Sequence, residues 1–474
     1  MMRYRKSIQV GTQTGRIMPA VFRYRMLIML LVLLVISGVF CGPAAADNLD
    51  VQTAQNLSDA LNLTTDSGVG AAYVNGDGKV VLLQDVWLNY TINITAQDSI
   101  TLTANESNDF TIYRNFGEGY LFTVRSGAFI LEGSSGHNLT IDGNRTTYSS
   151  NGKSLVSVEG GEFTMHAGSV LQNSNNTHTL GGGGVYMNSG AFTLTGGTIS
   201  NNTAVFGGGV YVDGGTFTMT SGTISGNNAA SYDGGGVFMS GGTFNMTNGT
   251  ISGSTATYFG GGVYVEGGTF NMTGGTISVN NANFGGGVSV QNDRTFNMTG
   301  GTISNNTANQ GGGVYVLGST FTMNNGTISG NNANRGGGLF VSGDTFNMNS
   351  SATVDSDNDV YLFSSRFVTI TGNLAPDAGS LNITPALTSG TVIRYNDGVS
   401  PGTWADNFAL NQTWAIGNPT LALGQSGNDI ILGTNYTVNF SIDETTIYLG
   451  QYNVSGALLA QPADPTRSGY TFNG

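Results

Sequence analysis

Gly207-Gly208-Gly209-Val210-Tyr211-Val212, then Thr216-Phe217-Thr218-Met219, then Gly222-Thr223-Ile224-Ser225-Gly226-Asn227-Asn228-Ala229: the reading of this stretch decides the fold. The same wording recurs seven times, with the residue after the glycines at Val185, Val210, Val237, Val263, Val288, Val314 and Leu339. The steps between them are 25, 27, 26, 25, 26 and 25 residues. A fixed period of this size marks a solenoid, in which each repeat packs on its neighbours only. Inside one repeat, Val210 and Val212 flank Tyr211, Phe217 and Met219 flank Thr218, and Ile224 lies between Thr223 and Ser225. Alternation with period 2 is the signature of a half-buried strand, and no helical period competes with it. Three short strands per 25–27-residue coil, separated by Gly- and Asn-rich turns, predict an all-β chain wound as a parallel β-helix.

Stacked coils turn each repeat position into a column. The Phe column runs Phe163, Phe192, Phe217, Phe244, Phe270, Phe296, Phe321, Phe346. Two residues further on stand Met165, Leu194, Met219, Met246, Met272, Met298, Met323 and Met348. Residues two apart in a strand share a face, so both columns are predicted to fill the interior. An Asn column (Asn202, Asn227, Asn280, Asn306, Asn331, with Ser254 in its third place) is expected at tight turns, bonding the local backbone or running along the coil axis. An Ala column beside it marks close approach. The Gly triplets mark positive φ or close coil contact.

Composition fits this reading. Glycine makes up 74 of 474 residues, and charged residues only 9%. Periodic glycine between apolar strands is unlike a flexible linker. Residues 1–46 differ: six basic residues lead into an apolar run from Met26 to about Phe40, followed by Ala44-Ala45-Ala46. This predicts a signal peptide cleaved near Ala46, with an uncleaved anchor as the alternative. Cleavage would remove the only cysteine, Cys41, and six of the 16 basic residues but none of the 29 acidic ones, moving the net charge from −13 to −19. An acidic, exported chain is not expected to bind nucleic acid or to insert in a membrane.

The repeat wording resembles known families. Ile-x-x-Asn-x-Ala followed by Gly-Gly-Gly-Val is similar to the paired signatures of chlamydial polymorphic outer membrane proteins, with Ile here in place of Phe. The fuller wording resembles adhesin-like surface proteins of anaerobic bacteria and methanogenic archaea. Over residues 155–371 this resemblance implies a right-handed, pectin-lyase-like β-helix. Residues 47–154 are expected to form an N-terminal cap and irregular opening coils, with a short helix near Leu57–Leu63. Residues 372–433 are expected to form C-terminal coils and a cap. Residues 434–474, from Tyr436-Thr437-Val438 to Pro465-Thr466-Arg467-Ser468-Gly469-Tyr470-Thr471-Phe472, resemble a Listeria–Bacteroides repeat, a β-grasp-like module. The sequence stops inside it, which implies further residues beyond Gly474.

The fold hosts polysaccharide lyases and glycoside hydrolases, so function must be read from a site. Asp213, Asp233, Glu266, Asp293 and Asp344 fall in different columns and read as solvated turn residues. Asp355, Asp357 and Asp359 have the alternate spacing of a Ca²⁺ loop, but a capped turn explains them as well. His137, His166 and His178 show no metal-ligand spacing and no Asp or Ser partner in register. The expectation is therefore no catalytic residue, no cofactor and no metal, with an enzyme of the pectin-lyase-like fold as the alternative. The remaining candidate is a surface-contact ladder: Tyr186, Tyr211, Phe238, Tyr264, Tyr315 and Phe340, interrupted by Ser289. By alternation these rings point away from the interior. They are expected to face solvent and hold an extracellular glycan or a surface protein; the alternative is a ladder that merely stacks on itself. N-x-Ser/Thr sequons at Asn89, Asn93, Asn138, Asn201, Asn245, Asn271, Asn297 and Asn305 would make an exported chain a glycoprotein. The whole reads as a secreted, cell-surface adhesin-like or structural protein.

Overall fold

The computed structural model describes residues 72–74 and 79–372, apart from 96–98, 149–151, 179–180 and 343–344, and the strands between 381 and 453. The expected signal peptide, the short helix near Leu57, Asp344 and the closing motif from Pro465 lie outside these residues. Among the described residues every regular element is a strand, wound into a β-solenoid of about eleven turns.

Three sheets run along it, each built from one strand per coil. The first holds the Val-Tyr-Val strands: Val185, Val210, Val237, Val263, Val288, Val314, Leu339 and Val360 pair in parallel, like on like. The second holds the Phe-Met strands, in register from Phe129 through Phe346 to Val368. The third holds the Thr-Ile-Ser strands, from Ile141 and Leu171 to Ile328 and Val354. A fourth ladder of very short strands, such as Thr203–Ala204 and Asn228–Ala229, runs through the Ala column. Two residues are too few to show an alternation, so this ladder is not legible in the repeat wording.

The interior is a set of pure columns. The eight Phe rings from Phe163 to Phe346 are fully buried. Successive rings from Phe192 to Phe346 stack with centroids 4.4–5.2 Å apart and planes within 12°. Parallel pairing brings identical residues to strand spacing, and flat rings suit that spacing. Each Met reaches under the next coil's turn: a Cβ on Gly275 would lie 2.6 Å from Met246 Cε, and one on Gly301 would lie 2.6 Å from Met272 Cε. These two glycines also have φ of 84° and 88°, so only glycine satisfies both demands.

The Asn column is the polar counterpart. Asn202, Asn227, Asn280, Asn306 and Asn331 are buried, and Ser174 and Asn358 extend the column beyond what the repeat wording shows. The Asn306 Oδ1 accepts from both the backbone N–H and the side-chain amide of Asn280, at 2.9 and 3.0 Å. Its Nδ2 donates to the Ile277 carbonyl and to Asn331 Oδ1, both at 3.0 Å. The bonding therefore runs along the axis. The left-handed turn residues are the ones just before: Asn173, Asn201, Gly226, Gly253, Val279, Asn305 and Gly330, with φ between 54° and 61°.

Val279 breaks that pattern. A β-branched residue at φ 60° is strained, and its side chain is 62% exposed, so packing returns little. Val279→Gly should raise stability by about 1 kcal/mol, read as a higher melting midpoint. An unchanged or lower midpoint would show that the strain is relieved elsewhere.

At the N-terminal end, Ala72–Val74 pairs antiparallel with Val80–Leu82. The buried Arg114 ties the opening coils together by donating to the Gly119 carbonyl at 2.6 Å and the Lys153 carbonyl at 2.9 Å. Burial lowers its pKa to about 10. At the other end, Leu381–Pro385 and Phe408–Leu410 still pair in parallel. Asp429–Thr434 then pairs antiparallel with Gly390–Tyr395 and with Leu421–Ser426, so the stack ends on a hairpin. Tyr436–Ile442 and Thr445–Asn453 form a separate antiparallel pair.

Candidate functional site

The aromatic ladder does point away from the valines, but it does not face solvent. Tyr211, Phe238, Tyr264, Tyr315 and Phe340 are only 2–7% exposed, and Tyr186 is half-buried. This corrects the expectation of an exposed contact stripe. Much of the cover comes from the loops that precede three of the Gly triplets. Phe206 packs 5.0 Å from Phe238, and Phe259 packs 5.5 Å from Tyr264. Phe284 lies 5.3 Å from Tyr315 and fills the gap left by Ser289. The signal was present as an aromatic directly before the glycines at Phe206, Phe259 and Phe284, but a loop carries no alternation to say where its side chain turns. Substituting Tyr211, Tyr264 and Tyr315 together would therefore cost stability instead of leaving the fold intact.

What this flank does expose is a second tier. Tyr232 is 47% exposed and Tyr258 45%. Tyr232 stacks on Phe206 at 4.7 Å and faces Tyr258 at 6.4 Å. Tyr232 sits in the 27-residue repeat, whose loop is long enough to lift the ring clear of the cover.

Three carboxylates act on the hydroxyls of the ladder tyrosines below them. Asp213 accepts from Ser240 Oγ at 2.7 Å and from the Tyr186 hydroxyl at 3.3 Å. Asp233 is buried and accepts the Phe259 amide through Oδ1 at 2.9 Å. Burial pushes its pKa up to about 6 against the opposing Phe259 hydrogen bond, and the Glu266 charge adds to the rise. Burial also raises the Tyr264 hydroxyl, helped by the charges of Glu266 and Asp233. The Tyr211 hydroxyl is raised by burial and feels both Asp213 and Glu266. The expectation of a solvated turn residue is thus corrected for Asp233, which is buried; Asp213 and Glu266 are exposed turn residues as expected, but they share one column, two coils apart with Ser240 between them. Parallel coils bring residues 20 to 53 positions apart to one flank.

The other candidates resolve differently. Asp359 uses both oxygens on neighbouring coils, accepting the Gly337 amide at 2.6 Å and the Thr384 hydroxyl at 2.7 Å. Asp357 accepts from Asn358. His137 does have a partner, contrary to expectation: its Nδ1 lies 3.2 Å from Asp109 Oδ1 on the exposed surface. His166 Nδ1 lies 2.6 Å from Thr195 Oγ1. Asn245, Asn271 and Asn297 point outward as expected, but they bond one another through 3.0 Å amide contacts, while the sequons at Asn201 and Asn305 lie on exposed turns. A cavity of about 220 Å³ lies between Phe367, Leu387 and Leu432 near the C-terminal hairpin, with Arg366 and Arg394 on its wall. No family model, no curated protein and no solved structure matches the chain.

Proposed function

We propose that this chain is a secreted, adhesin-like surface protein that uses its rigid β-solenoid to present a glycan-contact flank, and that it binds instead of catalysing. The observation that carries the reading is the exposed pair Tyr232 and Tyr258. Tyr232 stands on the covered aromatic row through Phe206, and Tyr258 faces Tyr232 beside it. Exposed flat rings beside carboxylates suit pyranose faces and their hydroxyls. The resemblance of the repeats to adhesin-like proteins and the signal-like leader point the same way. No nucleic-acid partner, cofactor or membrane insertion of the processed chain forms part of the reading.

The test is attachment to cell-wall glycan. Tyr232→Ser with Tyr258→Ser should lower binding by about tenfold or more, since each stacked ring contributes on the order of 1 kcal/mol. The melting midpoint should stay put, because both rings are exposed. Unchanged binding would remove the flank from the proposal.

One observation favours an enzyme as the second reading. A carboxyl pushed up to about 6 beside a second carboxylate is what a general acid needs. We expect no release of reducing or unsaturated sugars from neutral or acidic polysaccharides, with or without Ca²⁺. Release that Asp233→Asn abolishes would establish the enzyme instead.

A further inference from the structure

From Thr179 to Asp293 the chain contains no Lys, Arg or His, and its only charged residues are Asp213, Asp233, Glu266 and Asp293. On the flank that carries Tyr232 and Tyr258, Asp213 and Glu266 stand exposed in one column two coils apart, and the buried Asp233, next to Tyr232 in the chain, feels the charge of Glu266. Among the described residues no basic side chain forms an ion pair with Asp213, Asp233 or Glu266. The nearest cation in the sequence, Arg294, donates its Nε to the Glu266 backbone carbonyl at 3.2 Å, leaving the carboxylate itself open. Burying the Asp233 carboxyl near the charge of Glu266, with no counter-ion, destabilises the folded chain, so the arrangement calls for another explanation.

A second observation points to a ligand. Tyr264 is only 4% exposed, yet its hydroxyl has no hydrogen-bond partner among the described residues, while the charges of both Glu266 and Asp233 act on it. A buried hydroxyl normally finds a partner. Asp233 has committed one oxygen to the Phe259 amide and has the other to offer. Carboxylates without a counter-ion, a waiting hydroxyl and two exposed tyrosine faces together form a recognition set for a cation carried on a flat ring. The rings supply cation–π attraction, the acids supply charge, and the Tyr264 oxygen supplies an acceptor.

We infer that the glycan bound on this flank carries free amines: a polymer of deacetylated amino sugar, its ammonium groups lying among Asp213, Asp233 and Glu266. This rests on the glycan reading above and narrows it to one chemistry. A basic peptide would satisfy the charges but has no pyranose face for Tyr232 and Tyr258 to stack on.

The test compares three probes of equal length on the full chain by calorimetry: glucosamine oligosaccharide, its fully N-acetylated form, and oligolysine. The amine form should bind about tenfold tighter than the acetylated form at low salt, with the difference shrinking as salt rises. Asp233→Asn with Glu266→Gln should erase that preference. The amide oxygen introduced at position 233 would still accept the Phe259 N–H, and an unmoved melting midpoint would confirm the fold. Equal binding of the amine and acetylated forms overturns the amine inference but keeps the glycan reading. Oligolysine binding as tightly as the amino sugar overturns it in favour of simple charge attraction. Binding of no probe removes the glycan reading itself. The probe comparison on the unaltered protein decides the matter even if the double variant fails to fold.

Discussion

Phe270→Asp should cost about 5 kcal/mol or more and yield little soluble folded protein, because it places an unpaired charge inside a dry stack of rings. Phe270 is fully buried, with Phe244 at 4.8 Å and Phe296 at 4.7 Å on either side. The loss has two parts. Removing the ring leaves a void and costs about 3–5 kcal/mol even for alanine. The carboxylate then has no donor to meet, since the neighbours in its own column are rings and those in the next are Met side chains. Thr216→Asp, at an exposed strand end, should change stability by less than about 0.5 kcal/mol. Denaturant melts of both, followed by circular dichroism, settle the point. Equal shifts would mean that the Phe column is not the core.

The second large effect concerns asparagine. Asn306→Leu should cost about 4 kcal/mol, although leucine has similar bulk and is more apolar. The side chain of Asn306 makes four bonds along the axis, to Asn280, Ile277 and Asn331. Leucine strands the Asn280 amide, part of its side-chain NH₂ and the Ile277 carbonyl in the interior. Each buried group left without a partner costs about 1–3 kcal/mol. The control is Asn271→Leu. Asn271 also bonds like residues in the coils before and after, at 3.0 Å each, but on the half-exposed outer face where water can replace it. Its loss should cost under about 1 kcal/mol. Ser254 shows how the chain tolerates one gap: it still donates its amide to Asn280 Oδ1 at 2.9 Å, and its hydroxyl receives the Asn227 amide at 3.4 Å. If Asn306→Leu and Asn271→Leu shift the melt equally, the buried ladder does not hold the coils together.

These two results separate what each level of description contributes. The period of the Gly-Gly-Gly-Val wording and the alternation around Phe217 and Ile224 determined, unaided, that the chain is a parallel solenoid with Phe, Met and Ile inside. Both follow from local rules: residues two apart in a strand share a face, and equal repeats must stack in register. Only the tertiary structure decided the rest. Alternation told that Tyr211 and Tyr264 turn away from the core, but not that Phe206 and Phe259 fold over them, because covering depends on where a loop returns. Asn271 and Asn306 are the same residue type in the same repeat pattern; their opposite energetic weight comes from which side of the coil wall each amide occupies. Asp213 and Glu266 occupy one repeat position two coils apart, just after Val212 and Val265, while Asp233 sits at another, in the loop before a Gly triplet. Glu266 acts on the buried Asp233 because winding brings neighbouring coils to strand spacing, a closeness that no single repeat contains.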